Sequence, residues 1–250
     1  MDVIKSQRAL LWIFILFSQI YTWSYVLLLN FFPPVPATLD ATQIVNLYAQ
    51  HNVQFRVGIV LMMISGAFCQ PFNVVVAAQM ARCEGQFPLW SRMQLSCGTL
   101  GTWLFGFPPF LWGVAAFSVD RNPGLTVLIH EFAWLCFVTP PTYFALQLIP
   151  IAVVSLSKNN LPDPPFPRWI GFLTIFTTLV SSSGVMAMLF KSGPFAWNGL
   201  ISFYLPLTLF STWLICMTIN LFRAIGRQER AEHEHPDRRE LSPGIMAPVS

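Results

Sequence analysis

Residues 9–32 form an uncharged, apolar run longer than the ~20 residues that a spanning helix needs, which makes hydrocarbon the solvent for this part of the chain. Comparable runs recur at 57–78, 95–117, 125–156, 170–190 and 200–222. Composition agrees: 54% of the 250 residues are hydrophobic and 10% are charged, against roughly 25% charged in an average soluble domain. A disordered chain is excluded, because 23 Phe and 9 Trp carry too much apolar surface to stay solvated. The first run is too long for a cleavable signal peptide and no small-x-small cleavage site follows it, so it reads as a signal anchor. The expected fold is all-α, a polytopic transmembrane bundle of about six helices with one short amphipathic surface helix. Residues 1–230 make the membrane domain and 231–250 a flexible polar tail.

Proline punctuates these runs. Pro33, Pro34 and Pro36 end the first span, since proline lacks the donor and pushes its predecessor out of the helical region. Asp40 with Gln43 then has the pattern of a capping box. Ile44, Leu47 and Tyr48 recur at i, i+3 and i+4, so a surface helix is expected near 40–52. Pro71 falls within the second span and frees a backbone carbonyl that Gln70 or Asn73 can satisfy. The first half of the third span carries Gly98, Gly101 and Thr102, a small face suited to helix contact, before Pro108-Pro109 interrupts it. Asn122-Pro123 starts a fourth helix running to Leu156, which must tilt, kink at Pro140-Pro141 or begin as an interfacial turn before descending, because it exceeds one crossing. A proline-rich stretch over 158–168 reads as an extended loop, and residues 181–184 give the fifth span another small, hydroxylated face.

Six spans bring both termini to one side, and basic residues choose that side. Eleven of the fourteen Lys and Arg fall with the termini, while Arg56, Arg121 and Lys191 fall opposite, so both termini are expected in the cytoplasm. The net charge of +3 is spread along the loops and tail, and nucleic acid is not an expected partner. The five cysteines are odd in number and form no CxxC pair, so they read as small buried hydrophobes, with neither a metal nor another cofactor implied. No GxSxG or P-loop pattern is present either.

His130 and Glu131 are the ionisable pair inside an apolar run, and a charge at that place needs a reason. Counted from Leu125, Glu131 is ~9 Å along the helix, in the outer third of the bilayer. Arg56, which opens the second span, is the expected partner of Glu131, and His130 points about 100° away on the same helix. The candidate intramembrane polar site is therefore His130, Glu131, Arg56, Gln70 and Asn73. Three roles compete for it. In the first the pair locks helix ends together in a binding or assembly component, whose partners are the lipid bilayer, another membrane protein or a lipid-soluble small molecule. In the second it lines the pathway of a small transporter for an apolar or small solute. In the third it supplies an acid or base to a lipid-soluble substrate. Nothing in the sequence decides among the three, and the reading leans toward a binding, assembly or transport component over an enzyme.

The phrases Phe166-Pro167-Arg168-Trp169 and Gly193-Pro194-Phe195-Ala196-Trp197-Asn198-Gly199 make the chain similar to a family of uncharacterised bacterial inner-membrane proteins of about this size. The resemblance implies six spans in a bacterial inner membrane and brings no functional residue with it.

Overall fold

The computed structural model describes residues 2–118, 121–139, 142–158 and 164–234, and every regular element among them is helical. Helix α1 (Val3–Trp23) continues through a π-helical turn at Ser24–Leu28. It starts six residues earlier than the apolar run, because the Asp2 carboxylate caps it by accepting from the Ile4 and Lys5 amides. The chain then crosses the end opposite the termini, termed the outer end, forms α2 (Ala41–Ala49), and descends as α3 (Asn52–Ser65) and α4 (Cys69–Glu84). It returns as α5 (Leu89–Gly101) and α6 (Trp103–Phe117), and descends again as α7 (Pro123–Val138) and α8 (Thr142–Leu156). The last pair is α9 (Arg168–Ser182), extended by a 3₁₀ segment at Ser183–Met188, and α10 (Leu205–Glu234), preceded by a π-helical turn at Leu200–Tyr204.

Five of these lines are long and apolar enough to cross a membrane: Val3–Leu28, Asn52–Glu84, Leu89–Phe117, Arg168–Met188 and Leu200–Glu234. The fourth leg differs from the single long helix expected over 125–156. It consists of two shorter apolar helices, α7 beside α6 and α8 beside α5, so that together they run antiparallel to the third leg. Pro140 and Pro141, where a kink was expected, lie outside the described residues.

Three other prolines do not break the helix line at their own positions. Pro71 sits in the first turn of α4, where a missing amide costs nothing, and the break comes earlier, at 66–68. Pro108 and Pro109 lie inside α6, which continues through them, and the line breaks at Thr102 instead. The backbone explains the pairing of these two breaks. Pro109 cannot donate to the Phe105 carbonyl, and that oxygen lies 3.1 Å from where a Cβ on Gly66 would stand. A glycine at 66 lets the two helix lines approach there without a side chain between them.

Polar bonds define the two ends. On the terminal side the Gln79 amide donates to the Oε1 atoms of Gln7 (2.6 Å) and Gln228 (2.9 Å), and Arg8 pairs with Glu229 at 2.6 Å, tying α1, α4 and α10. On the opposite side Asn52 donates to the Ala116 carbonyl and Gln54 to the Leu27 carbonyl. An aromatic core fills this outer half. Phe31 packs on Trp112 and Trp134, and Tyr25 on Phe137, with the segment between α1 and α2 folded back to supply Phe31 and Val35. Helix α10 runs to Glu234, so the first residues of the expected polar tail are helical; the remainder of the tail lies outside the described residues.

Candidate functional site

The five residues proposed from sequence separate into two places. The outer place is built on α2 and α7. Asp40 and Gln43 form the expected capping box, which fixes the start of α2 and carries Ile44 and Tyr48 inward against α7. Tyr48 Oη is 2.7 Å from His130 Nδ1, and both residues are fully buried. The hydroxyl donates where Nδ1 is unprotonated and accepts where Nδ1 carries the ring proton. Nε2 has no hydrogen-bond partner among the described residues. The ring stands edge-to-face with Trp134 at 6.3 Å and with Trp197 at 6.2 Å, the arrangement that lets a ring N–H lie against an indole face.

Glu131 turns the other way and pairs with Lys191 at 2.9 Å, which corrects the expectation that Arg56 would be its partner. Arg56 is exposed, with its guanidinium 5.5 Å from the centre of the Phe117 ring. The reason lies in the loop after the 3₁₀ segment. It carries Gly193-Pro194 and reads as a loose turn, yet Ile201 donates to the Pro194 carbonyl, Ser202 to that of Phe195, and Trp197 Nε1 to Val35 O. A docked loop beside α7 can hold Lys191 in reach of Glu131. The pair is open to its surroundings, with side-chain exposures of 77% and 29%, so Glu131→Gln and Lys191→Gln are each expected to cost only about 0.2–1 kcal/mol. Thermal denaturation in detergent checks this, and a loss well above 1 kcal/mol would show the pair to be shielded.

The second place lies inside the helical legs, away from both ends, and is made of amides. Asn73 Oδ1 accepts from Gln147 Nε2 at 2.8 Å and from Gln94 Nε2 at 3.3 Å, joining α4, α8 and α5. All three residues are buried. Asn73 is eleven residues from the end of α4 at Glu84, ~16 Å at 1.5 Å per residue, or about half of a ~30 Å hydrocarbon core. Glycines make the room: a Cβ on Gly98 would lie 2.7 Å from Asn73 Nδ2, and one on Gly101 2.9 Å from Gln147 Oε1. Gln70, one turn from Asn73, donates to Thr99 Oγ1 at 3.0 Å and accepts from Thr102 Oγ1 at 3.4 Å.

The amide cluster does not satisfy itself. Asn73 Nδ2 and Gln94 Oε1 are buried and have no partner among the described residues. Turning all three amides over exchanges donors for acceptors and leaves as many unmatched. The helix breaks at 66–68 and at Thr102 and the end of α7 at Val138 fall around this cluster, since α5 lies beside α8 and α6 beside α7. The site therefore offers neutral hydrogen-bonding groups of both kinds inside the helical legs, and no charge.

Sequence reasoning found Gln70 and Asn73 but missed Gln94, Gln147, Tyr48 and Lys191 as members of these sites. Gln94 falls one residue before the apolar run at 95–117 and so reads as loop, while Gln147 is neutral and His130-Glu131 draws attention away from it. The i+3 spacing of Gln70 and Asn73, with a Gln and a glycine face in the next span, was the available signal. No protein-family model matches the chain, and neither a curated protein nor a solved structure does.

Proposed function

We propose that this multi-pass membrane protein is a binding component that takes a small, uncharged, lipid-soluble molecule at the Asn73–Gln94–Gln147 cluster. One observation carries the reading: a donor and an acceptor, Asn73 Nδ2 and Gln94 Oε1, stand buried inside the helical legs with no partner among the described residues. Leaving such groups without partners in a low-dielectric interior costs about 1–3 kcal/mol each, so a molecule that pairs with both gains affinity by relieving it. The resemblance suggests a bacterial inner membrane as the setting, and the eleven-to-three distribution of basic residues supports both termini in the cytoplasm.

A second reading is favoured by a separate observation, the helix breaks that fall around the cluster. Discontinuous helices with a polar site near the midplane suit a small transporter for neutral solutes. In this version the pathway runs past Gln70, Asn73, Gln94 and Gln147, while His130 and Glu131 belong to the outer packing.

One preparation tests both readings. The full chain, extracted in mild detergent, is expected to retain a neutral small molecule detectable by native mass spectrometry. The variant carrying Asn73→Leu, Gln94→Leu and Gln147→Leu is expected to lose it. In proteoliposomes, acetamide-driven swelling separates the two readings: acceleration by the wild type and not by the variant means transport, and no acceleration with a retained molecule means binding alone. Equal retention and equal swelling in wild type and variant overturn both.

A further inference from the structure

At the terminal end of α10 lies a feature that neither reading uses. Helix α10 has 30 residues, ~45 Å of helix, so it outruns a ~30 Å hydrocarbon core and carries its last turns into the headgroup layer. Its apolar stretch ends at Phe222. Arg223, Arg227 and Arg230 follow at i, i+4 and i+7 and so share one face. With Phe222 and Gly226 they line a groove of about 390 Å³. Gly226 leaves its floor open, as a Cβ built there would meet no atom within 4 Å.

The three arginines are not equivalent. Arg227 is half-buried and held in place, donating from Nη2 to the carbonyls of Pro164 at 3.0 Å and Pro165 at 3.5 Å. It forms a fixed wall. Arg223 and Arg230 are exposed at either side of it, and neither is in an ion pair with a described residue. The carboxylates of the same helix are mostly directed elsewhere. Glu229 is taken by Arg8 at 2.6 Å, and Glu232 accepts from Gln228 at 3.1 Å. Glu234, a turn beyond Arg230, is the described carboxylate on the arginine face and lies at its outermost edge.

The rim nearest the membrane is aromatic. Phe222 packs on Trp12 with ring centres 5.5 Å apart, and Trp12 is 62% exposed on a helix long and apolar enough to cross a membrane. An exposed indole at this level belongs to the interfacial belt. The groove thus presents apolar contacts where acyl chains begin and, one turn further out, several guanidinium donors that match phosphate oxygens. A free anion would use the arginines alone, whereas an amphiphile uses both ends. We infer that this groove binds the phosphodiester headgroup of an anionic phospholipid from the terminal-side leaflet.

Full-length protein in detergent, titrated with dioctanoyl phosphatidylglycerol and read by native mass spectrometry, is expected to bind it in preference to dioctanoyl phosphatidylcholine. Each arginine removed is expected to weaken the binding about fivefold, so that Arg223→Gln with Arg230→Gln gives roughly a 25-fold loss. Both residues are exposed, and unchanged thermal stability of the double variant confirms that it is folded. Arg92→Gln, another exposed basic residue on the same side, is expected to leave binding unchanged. Inorganic phosphate at millimolar concentration is expected not to displace the lipid. Equal binding of the two lipids, an equal effect of Arg92→Gln, or displacement by phosphate alone would each overturn the assignment.

Discussion

Replacing Asn73 by leucine is expected to destabilise the protein by about 2–4 kcal/mol, measured as thermal or chemical denaturation in detergent. The substitution removes the oxygen that accepts from both Gln94 and Gln147, leaving two buried amide donors with nothing to bond. Each unmade bond costs about 1–3 kcal/mol in a soluble interior, and interhelical bonds within membranes fall toward the lower end of that range. Gly98→Ala is expected to act in the same direction by steric means, because its new Cβ would stand 2.7 Å from Asn73 Nδ2 and push the acceptor out of register. The variant with leucine at 73, 94 and 147 is the informative one. Removing all members of a polar group can be nearly neutral where removing one is costly, so it is expected to recover much of the lost stability. If stability returns and the retained molecule is lost, the cluster is a site. If stability returns and retention is unchanged, the amides serve only to hold helices together and the proposed function falls.

The parts of the fold governed by transfer from water to hydrocarbon were legible in the sequence. Apolar runs located the five long crossings, and the Asp40–Gln43 pattern with Ile44 and Tyr48 located α2, because local hydrogen bonding and burial act within a few residues. The small faces at Gly98 and Gly101 are buried as their spacing suggests. What could not be read was where a leg would break. Proline marks a missing donor, yet whether that breaks a helix depends on which turn it occupies and on what approaches the freed carbonyl. Pro71 falls harmlessly in a first turn, while Gly66, which reads as an ordinary small residue, sits where two helix lines meet. The choice between Arg56 and Lys191 failed for a related reason. Distance along the chain favoured Arg56, but the loop that carries Lys191 is fixed by bonds to residues far away in sequence, Trp197 to Val35 above all.

That same bond makes Trp197 the residue whose truncation should open the outer end. Its indole is buried, lies parallel to Trp134 at 6.3 Å, stands against His130, and donates to the Val35 carbonyl at 2.8 Å. Trp197→Ala removes the packing and the donor together, and is expected to cost about 3–5 kcal/mol. Trp197→Phe keeps most of the ring and loses the N–H, leaving a carbonyl unpaired, so about 1–2 kcal/mol is expected. The loss should be local in its first effects. Val35 belongs to the segment between α1 and α2, which is short of regular structure, and Tyr48 on α2 reaches the same aromatic cluster through His130. Hydrogen exchange is therefore expected to accelerate at least tenfold over residues 33–39 and α2 in Trp197→Ala. The Gln7–Gln79–Gln228 layer at the other end should keep its protection. Uniform loss of protection along the whole chain would show instead that the outer aromatic cluster is an inseparable part of one cooperative core. The local result would bear on loading of the amide site as well, because this cluster fills the outer half of the bundle above it. A molecule entering from the outer face should then associate faster with Trp197→Ala than with wild type, and one arriving through the lipid or from the terminal side should not.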